Sequence, residues 1–186
     1  MISKIISAIL IILLMPFFFV VSILKIIFDG SPIFFKQERL GKFGRVFIMY
    51  KFRTMKNITP KNLSTLEMEN PEMYNTKVGN FLRKYSIDEL PQLLNILKGD
   101  MNFIGPRPSL PNEQLLNSLR QRYGTFKCTP GVTGWAQVNG RDNNSFERKA
   151  ELELFYMNNR SIFLNVKIIF LTLKRVIIPR GIYPEN

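Results

Sequence analysis

The sequence predicts a predominantly helical α+β fold anchored to a membrane, and three features lead to it. The segment between Lys4 and Lys25 carries no charge. Two short β-like runs flank a glycine-bearing turn near residue 42. Beyond them, helix-period stretches alternate with turns rich in Gly and Pro.

Taken from the N-terminus, the run Ile5–Leu24 is almost wholly apolar, and about 20 such residues can cross a hydrocarbon core as a helix. A cleaved signal peptide fits poorly, because the run is long and no small-residue cleavage site follows it. Proline removes a backbone donor and disfavours helical geometry in the residue before it, so a bend is expected at Met15-Pro16. The helix can span the bilayer, the reading hydropathy favours, or bend and return to the face it entered. In either case the basic remainder belongs on the cytoplasmic side.

Pro32–Gln37 and Arg45–Tyr50 read as a β-hairpin closed around Gly41 and Gly44. The stretch Asn57–Thr76 is polar, aperiodic and broken by Pro60 and Pro71, which marks a surface excursion. From Val78 to Leu97 the pattern is helical around a break at Pro91. Further helices are expected near Asn112–Tyr123 and Phe146–Tyr156. The final one, Ile162–Ile178, sets Lys167, Lys174 and Arg175 roughly opposite Phe163, Ile169, Phe170 and Leu173. That pattern suits a membrane interface or a core-facing helix equally. The division expected is a membrane-inserted helix over 1–28, a catalytic domain over 29–178 and a tail over 179–186.

Composition narrows the chemistry. The net charge of +12 calls for an anionic partner: headgroups, nucleic acid or phosphorylated substrates. The chain has no histidine and a single cysteine, Cys128, which removes Ser-His-Asp triads, His-based zinc sites and any intrachain disulfide. Catalysis must then run on carboxylates, Lys, Arg, Tyr, hydroxyls or a bound metal.

The stretch Arg83-Lys84-Tyr85-Ser86-Ile87-Asp88-Glu89-Leu90-Pro91-Gln92 is the most informative. Ser86 and Glu89 fit a helix capping box, but Pro91 would then fall past the first turn, where its missing N–H is needed. A helix starting nearer Asp88 puts Pro91 in the tolerated first turn and both carboxylates at the positive end of the dipole. Helix N-termini also attract phosphate, and Arg83 and Lys84 lie just upstream. Acidic residues at helix starts often serve stability alone. Arg107 sits between Pro106 and Pro108 on a stiff loop suited to bidentate phosphate binding, although a surface ion pair is the ordinary role. Pro130–Arg141 concentrates Gly, amide and Trp135, a composition that lets backbone approach a ligand, with a packed core tryptophan as the plain alternative.

Five stretches in order carry a resemblance: Lys51-Phe52-Arg53-Thr54-Met55, Ser86–Gln92, Leu97-Lys98-Gly99-Asp100-Met101, Gly105-Pro106-Arg107-Pro108 and Pro130–Arg141. Together they resemble the bacterial sugar transferases (monotopic phosphoglycosyl transferases), from the apolar N-terminus to about Lys174, as a minimal catalytic core. The resemblance implies that Asp88 is a nucleophile attacking the sugar-linked phosphate of a UDP-sugar. UMP would leave, and polyprenyl phosphate would take the phosphosugar from the enzyme. It implies Mg²⁺ held with the help of Glu89, and phosphate or nucleotide contacts from Arg83, Arg107 and Arg141, with Lys51 and Arg53 as further contacts. It also implies a re-entrant membrane helix bent at the residue pair Met15-Pro16, and an inner-membrane location facing the cytoplasm. This chain departs from the pattern at Met15, where the family usually has Ser, and at Thr129, where it usually has Arg. A non-enzymatic, lipid-binding basic protein would explain the charge but not the carboxylate pair. Nucleic-acid binding is disfavoured, since the aromatics sit in apolar runs rather than among Lys and Arg.

Overall fold

The computed structural model describes residues 1–59, 71–140 and 144–177. Its first helix, α1 (Ile2–Asp29), continues through Met15 and Pro16 as one helix. The residues it turns inward recur at helical spacing: Ser7, Leu10, Ile11, Leu14, Phe18, Val21 and Lys25. Leu10, Ile11 and Leu14 pack on a cluster of Met49, Leu93, Ile96 and Met101, while Phe18 and Val21 pack on Phe52 and Leu82. Both halves of α1 therefore rest on the same body. Its ends are fixed by polar contacts. Ser7 donates to the Leu93 carbonyl at 2.6 Å and Lys4 to the Lys98 carbonyl at 3.3 Å, whereas Lys25 pairs with Asp29. The rest of the helix, including Ile5, Ile12, Leu13, Phe19, Ile23 and Ile27, is bare apolar surface. It is the one helix among the described residues long and apolar enough to cross a membrane.

The hairpin forms as its pattern suggests, from β1 (Phe34–Leu40) and β2 (Val46–Phe52), antiparallel with Phe34 opposite Phe52 and Leu40 opposite Val46. Alternation along β1 turns Gln37 and Arg39 toward the body and leaves Lys36 and Glu38 in solvent. The turn holds Phe43 and Gly44 at positive φ (59° and 71°), which Gly44 adopts at no steric cost. Residues 60–70 of the expected surface excursion lie outside the described residues; at its ends Lys56 N–H donates to the Tyr74 carbonyl and Thr76 N–H to that of Thr54.

The next helix is interrupted, but not where proline predicted. α2 (Lys77–Lys84), capped by the Thr76 hydroxyl on Gly79 N–H, ends just before Ser86, which adopts the left-handed conformation (φ 56°, ψ 22°). A 3₁₀ stretch, Ile87–Gln92, then leads directly into α3 (Leu93–Lys98). With Ser86 in the capping position, Pro91 is the fifth residue of this stretch, past its first turn, yet the chain turns on through it, the Leu93 N–H donating to the Leu90 and Pro91 carbonyls. A parallel pair of very short strands, β3 (Asn102–Ile104) and β4 (Gly131–Thr133), was not legible in the pattern. Here glycines let backbone meet backbone rather than ligand. A Cβ on Gly131 would strike Gly105 N, and one on Gly134 would strike Gly105 O.

α4 (Gln114–Tyr123), the short α5 (Trp135–Val138), α6 (Phe146–Asn158) and α7 (Ile162–Ile177) complete the body. Trp135 packs, stacked on Phe155 with ring centroids 5.7 Å apart. α7 buries Ile168 and half-buries Leu164 and Leu171, and leaves Phe163, Val166, Phe170 and Leu173 exposed along one face. Arg175 does not stand on a free basic face; it donates to the Gln137 and Val138 carbonyls at the end of α5. The expected tail, 179–186, lies outside the described residues.

Candidate active site

The left-handed turn at Ser86 reverses the chain between α2 and the 3₁₀ stretch, so Asp88 and Glu89 leave from its first turn. Neighbouring residues in a 3₁₀ helix point about 120° apart, so the two carboxylates enter different surroundings. Asp88 is buried, 8% exposed. Glu89 faces β2 and the Gly105–Pro108 loop, where its Oε1 accepts from Lys51 Nζ at 2.7 Å and from an Arg107 guanidinium nitrogen at 3.2 Å.

These surroundings drive the carboxyl groups in opposite directions. Burial pushes Asp88 up to about 6, with Lys51 opposing, the neighbouring Glu89 charge adding, and Arg83 and Arg107 opposing. Burial pushes Glu89 up as well, but the charges of Lys51 and Arg107 and their hydrogen bonds outweigh it and hold that carboxyl at about 2. The result is one firmly anionic, neutralised carboxylate beside one poorly solvated carboxylate that keeps its basicity near neutral pH. A desolvated anion of this kind can serve as a nucleophile or base where nearby cations receive the charge that develops.

Of the residues singled out in the sequence, the structure brings Lys51, Asp88, Glu89 and Arg107 together, with Arg83 close enough to act on Asp88 by charge. Arg83 also donates to Asn75 at 3.1 Å. Arg53 is elsewhere. Its buried guanidinium donates to the Asp29 and Gly30 carbonyls, both at 2.6 Å, and to Asn57, and so closes the end of α1. Arg141 lies outside the described residues. Cys128 is half-buried, and burial raises its thiol, in keeping with a packing role.

Two arginines that sequence reasoning passed over support the loop. Arg120 donates to the Arg107 carbonyl at 2.7 Å while gripping Glu153 through two bonds, at 2.5 and 2.8 Å. Arg39 donates to the Pro108 carbonyl at 3.2 Å. No local signal marks this role, because each reaches the loop from more than a dozen residues away.

Residues 1–179 match the bacterial sugar transferase profile, which takes in the carboxylate pair and every cation around it. The chain belongs to the bacterial sugar transferase family. Among similar members, an uncharacterized sugar transferase of Bacillus subtilis is 47% identical over 84% of this chain and 76% of its own length. A galactosyl transferase of Streptococcus agalactiae is 42% identical over 82% of this chain and 36% of its own. The UDP-glucose:undecaprenyl-phosphate glucose-1-phosphate transferase of Escherichia coli is 33% identical over 96% of this chain and 40% of its own. This sugar transferase thus spans well under half the length of the latter two relatives.

Proposed function

We propose that this chain is a phosphoglycosyl transferase that moves a phosphosugar from a UDP-sugar to polyprenyl phosphate. An Asp88 carboxylate oxygen attacks the sugar-linked phosphorus, the bond from that phosphorus to the bridging oxygen breaks, and UMP leaves with the electron pair. An oxygen of polyprenyl phosphate then attacks the same phosphorus. The aspartyl bond breaks, Asp88 regains its charge, and the sugar departs on a polyprenyl diphosphate. The observation that carries this reading is the buried Asp88 beside Glu89, which Lys51 and Arg107 hold ionised. The names of the undecaprenyl-phosphate relatives support the substrate class.

Arg83, Arg107 and Lys51 contact the diphosphate in this scheme, and Arg141 extends the nucleotide contacts. Glu89 suits a divalent cation. Among the described residues both of its hydrogen bonds fall on Oε1, leaving Oε2 without one. Among the described residues no group of three or more Asp, Glu, His or Cys could hold a metal ion alone. Mg²⁺ is commonly held by one or two carboxylates plus substrate phosphates, which is the donor set on offer, and when bound it would screen the diphosphate charge.

α1, with both halves resting on the body, is read as a re-entrant element whose exposed apolar side sits in lipid, and the exposed face of α7 lies at the same membrane surface. The catalytic domain then faces the cytoplasm. The test is UMP release by the detergent-purified protein supplied with Mg²⁺, polyprenyl phosphate and a panel of UDP-sugars. Release by the wild type that vanishes in Asp88→Asn is expected; release surviving that substitution, or absent with every sugar, contradicts the reading.

A further inference from the structure

Two arginines hold the Arg107 loop from behind, and their charge states differ. Arg120 is 3% exposed and lies against an equally buried carboxylate, Glu153, so its charge is cancelled in place. Arg39 reaches the same loop with only neutral acceptors. Its Nε and one terminal nitrogen donate to Gln37 Oε1 at 3.1 and 2.7 Å, and the other terminal nitrogen donates to the Pro108 carbonyl at 3.2 Å. Among the described residues no carboxylate lies within ion-pair distance of it. Burial, and then the Arg107 charge, lower its pKa to about 10, with Glu113 and Glu89 only partly offsetting them.

A half-buried cation, set beside a second cation and with only neutral acceptors among the described residues, is an unfavourable arrangement unless an anion completes it. If support of the loop were the only task, the Arg120–Glu153 arrangement would serve it without a bare charge. Glu89 is already shared by Lys51 and Arg107 and has no third bond directed at Arg39. We propose that Arg39 is a phosphate-binding residue of the transferase site, its guanidinium completing with Arg107 a two-arginine cradle for one phosphate of the reacting substrates. That phosphate belongs either to the nucleotide-sugar diphosphate or to the polyprenyl phosphate; an arginine fork suits the oxygens of both. Gln37 and the Pro108 carbonyl hold the fork in register before substrate arrives, which limits the ordering cost on binding.

The inference rests on the transferase reading of the site, and the test separates the two. Steady-state UMP release is measured for the full chain in detergent, varying UDP-sugar and polyprenyl phosphate in turn, for wild type, Arg39→Gln and Arg39→Lys. Removing one charge-assisted contact should raise the KM of the substrate it holds by about tenfold and leave kcat within about threefold. The substrate whose KM moves identifies the source of the phosphate. Arg39→Lys keeps the charge but loses the fork to Gln37, Pro108 and the phosphate, and should raise the same KM by less than Arg39→Gln does. An unchanged KM for both substrates in Arg39→Gln overturns the inference, as does Arg39→Lys failing as badly as Arg39→Gln, the mark of loop support alone. Where Arg39→Gln does not fold, Gln37→Leu replaces it, removing a neutral acceptor and keeping the charge. A raised KM for one substrate at an unchanged melting temperature then supports the phosphate role, and an unaltered KM for both substrates overturns it. Persistent UMP release in Asp88→Asn would instead remove the transferase reading itself.

Discussion

Lys51 Nζ lies 2.7 Å from Glu89 Oε1, joining the end of the hairpin to the first turn of the 3₁₀ stretch across 38 positions of sequence. Both side chains are largely shielded, 15% and 19% exposed. Glu89→Gln leaves the ammonium with a neutral acceptor in a poorly solvated place. The expected loss is about 2 kcal/mol at neutral pH, read from urea unfolding in detergent. Because the Glu89 carboxyl is held below its ordinary value, this contribution is present above about pH 4.5 and fades as pH falls through about 2. The difference between wild type and Glu89→Gln should shrink on acidification.

Asp88 behaves in the opposite sense. Its carboxyl is raised, so the folded state holds a proton that the unfolded chain gives up between about pH 4 and 6. The stability tied to that proton is full below the unfolded value and lost as pH rises through about 6. Asp88→Asn should therefore melt higher than wild type at pH 7.5, with the gap closing near pH 4. A melting temperature for Asp88→Asn at or below wild type at pH 7.5 would contradict this.

The same elevation predicts a pH profile for activity. UMP release should fall on the acid side with an apparent pKa near 6, since attack needs the ionised carboxylate. Lys51→Met removes a charge that opposes the elevation, so the acid limb should move to higher pH, while Glu89→Gln removes a like charge and should move it lower. The limbs of the two variants shifting in the same direction would count against this electrostatic account.

Much of this arrangement is legible in the sequence, and the exceptions have physical causes. The hairpin follows from Gly41 and Gly44, and the placing of Asp88 and Glu89 at a helix start follows from Pro91. Ser86 gave no warning of its left-handed backbone, because glycine or asparagine is the usual occupant of that conformation. The resemblance sets Arg53 beside Lys51 as a further contact, but β2 ends at Phe52, and past the strand Arg53 turns to the end of α1. Strands of three residues, β3 and β4, are too short to show periodicity. Arg120 and Glu153 meet over 33 positions, beyond the reach of any local pattern.

That last pair carries its own expectation. Arg120→Met alone should cost about 3–5 kcal/mol, because Glu153 would be left charged and buried, whereas Arg120→Met with Glu153→Leu should recover much of the loss. Urea unfolding of the three variants checks it. The double variant should still show a raised KM, since the Arg107 carbonyl loses its donor.

The membrane reading has a direct test. In a Cys128→Ser background, cysteines are placed at Ser3, in the first turn of α1, and at Ser31, just past its end. A re-entrant helix predicts that an impermeant thiol reagent labels both from the cytoplasmic side. Labelling from opposite sides would restore a simple span.

The most direct measurement is intact-protein and peptide mass spectrometry of enzyme mixed with UDP-sugar in the absence of polyprenyl phosphate. The account predicts a phosphosugar adduct on Asp88 that disappears when polyprenyl phosphate is added. An adduct on another residue, or sustained turnover with none ever trapped, would contradict it.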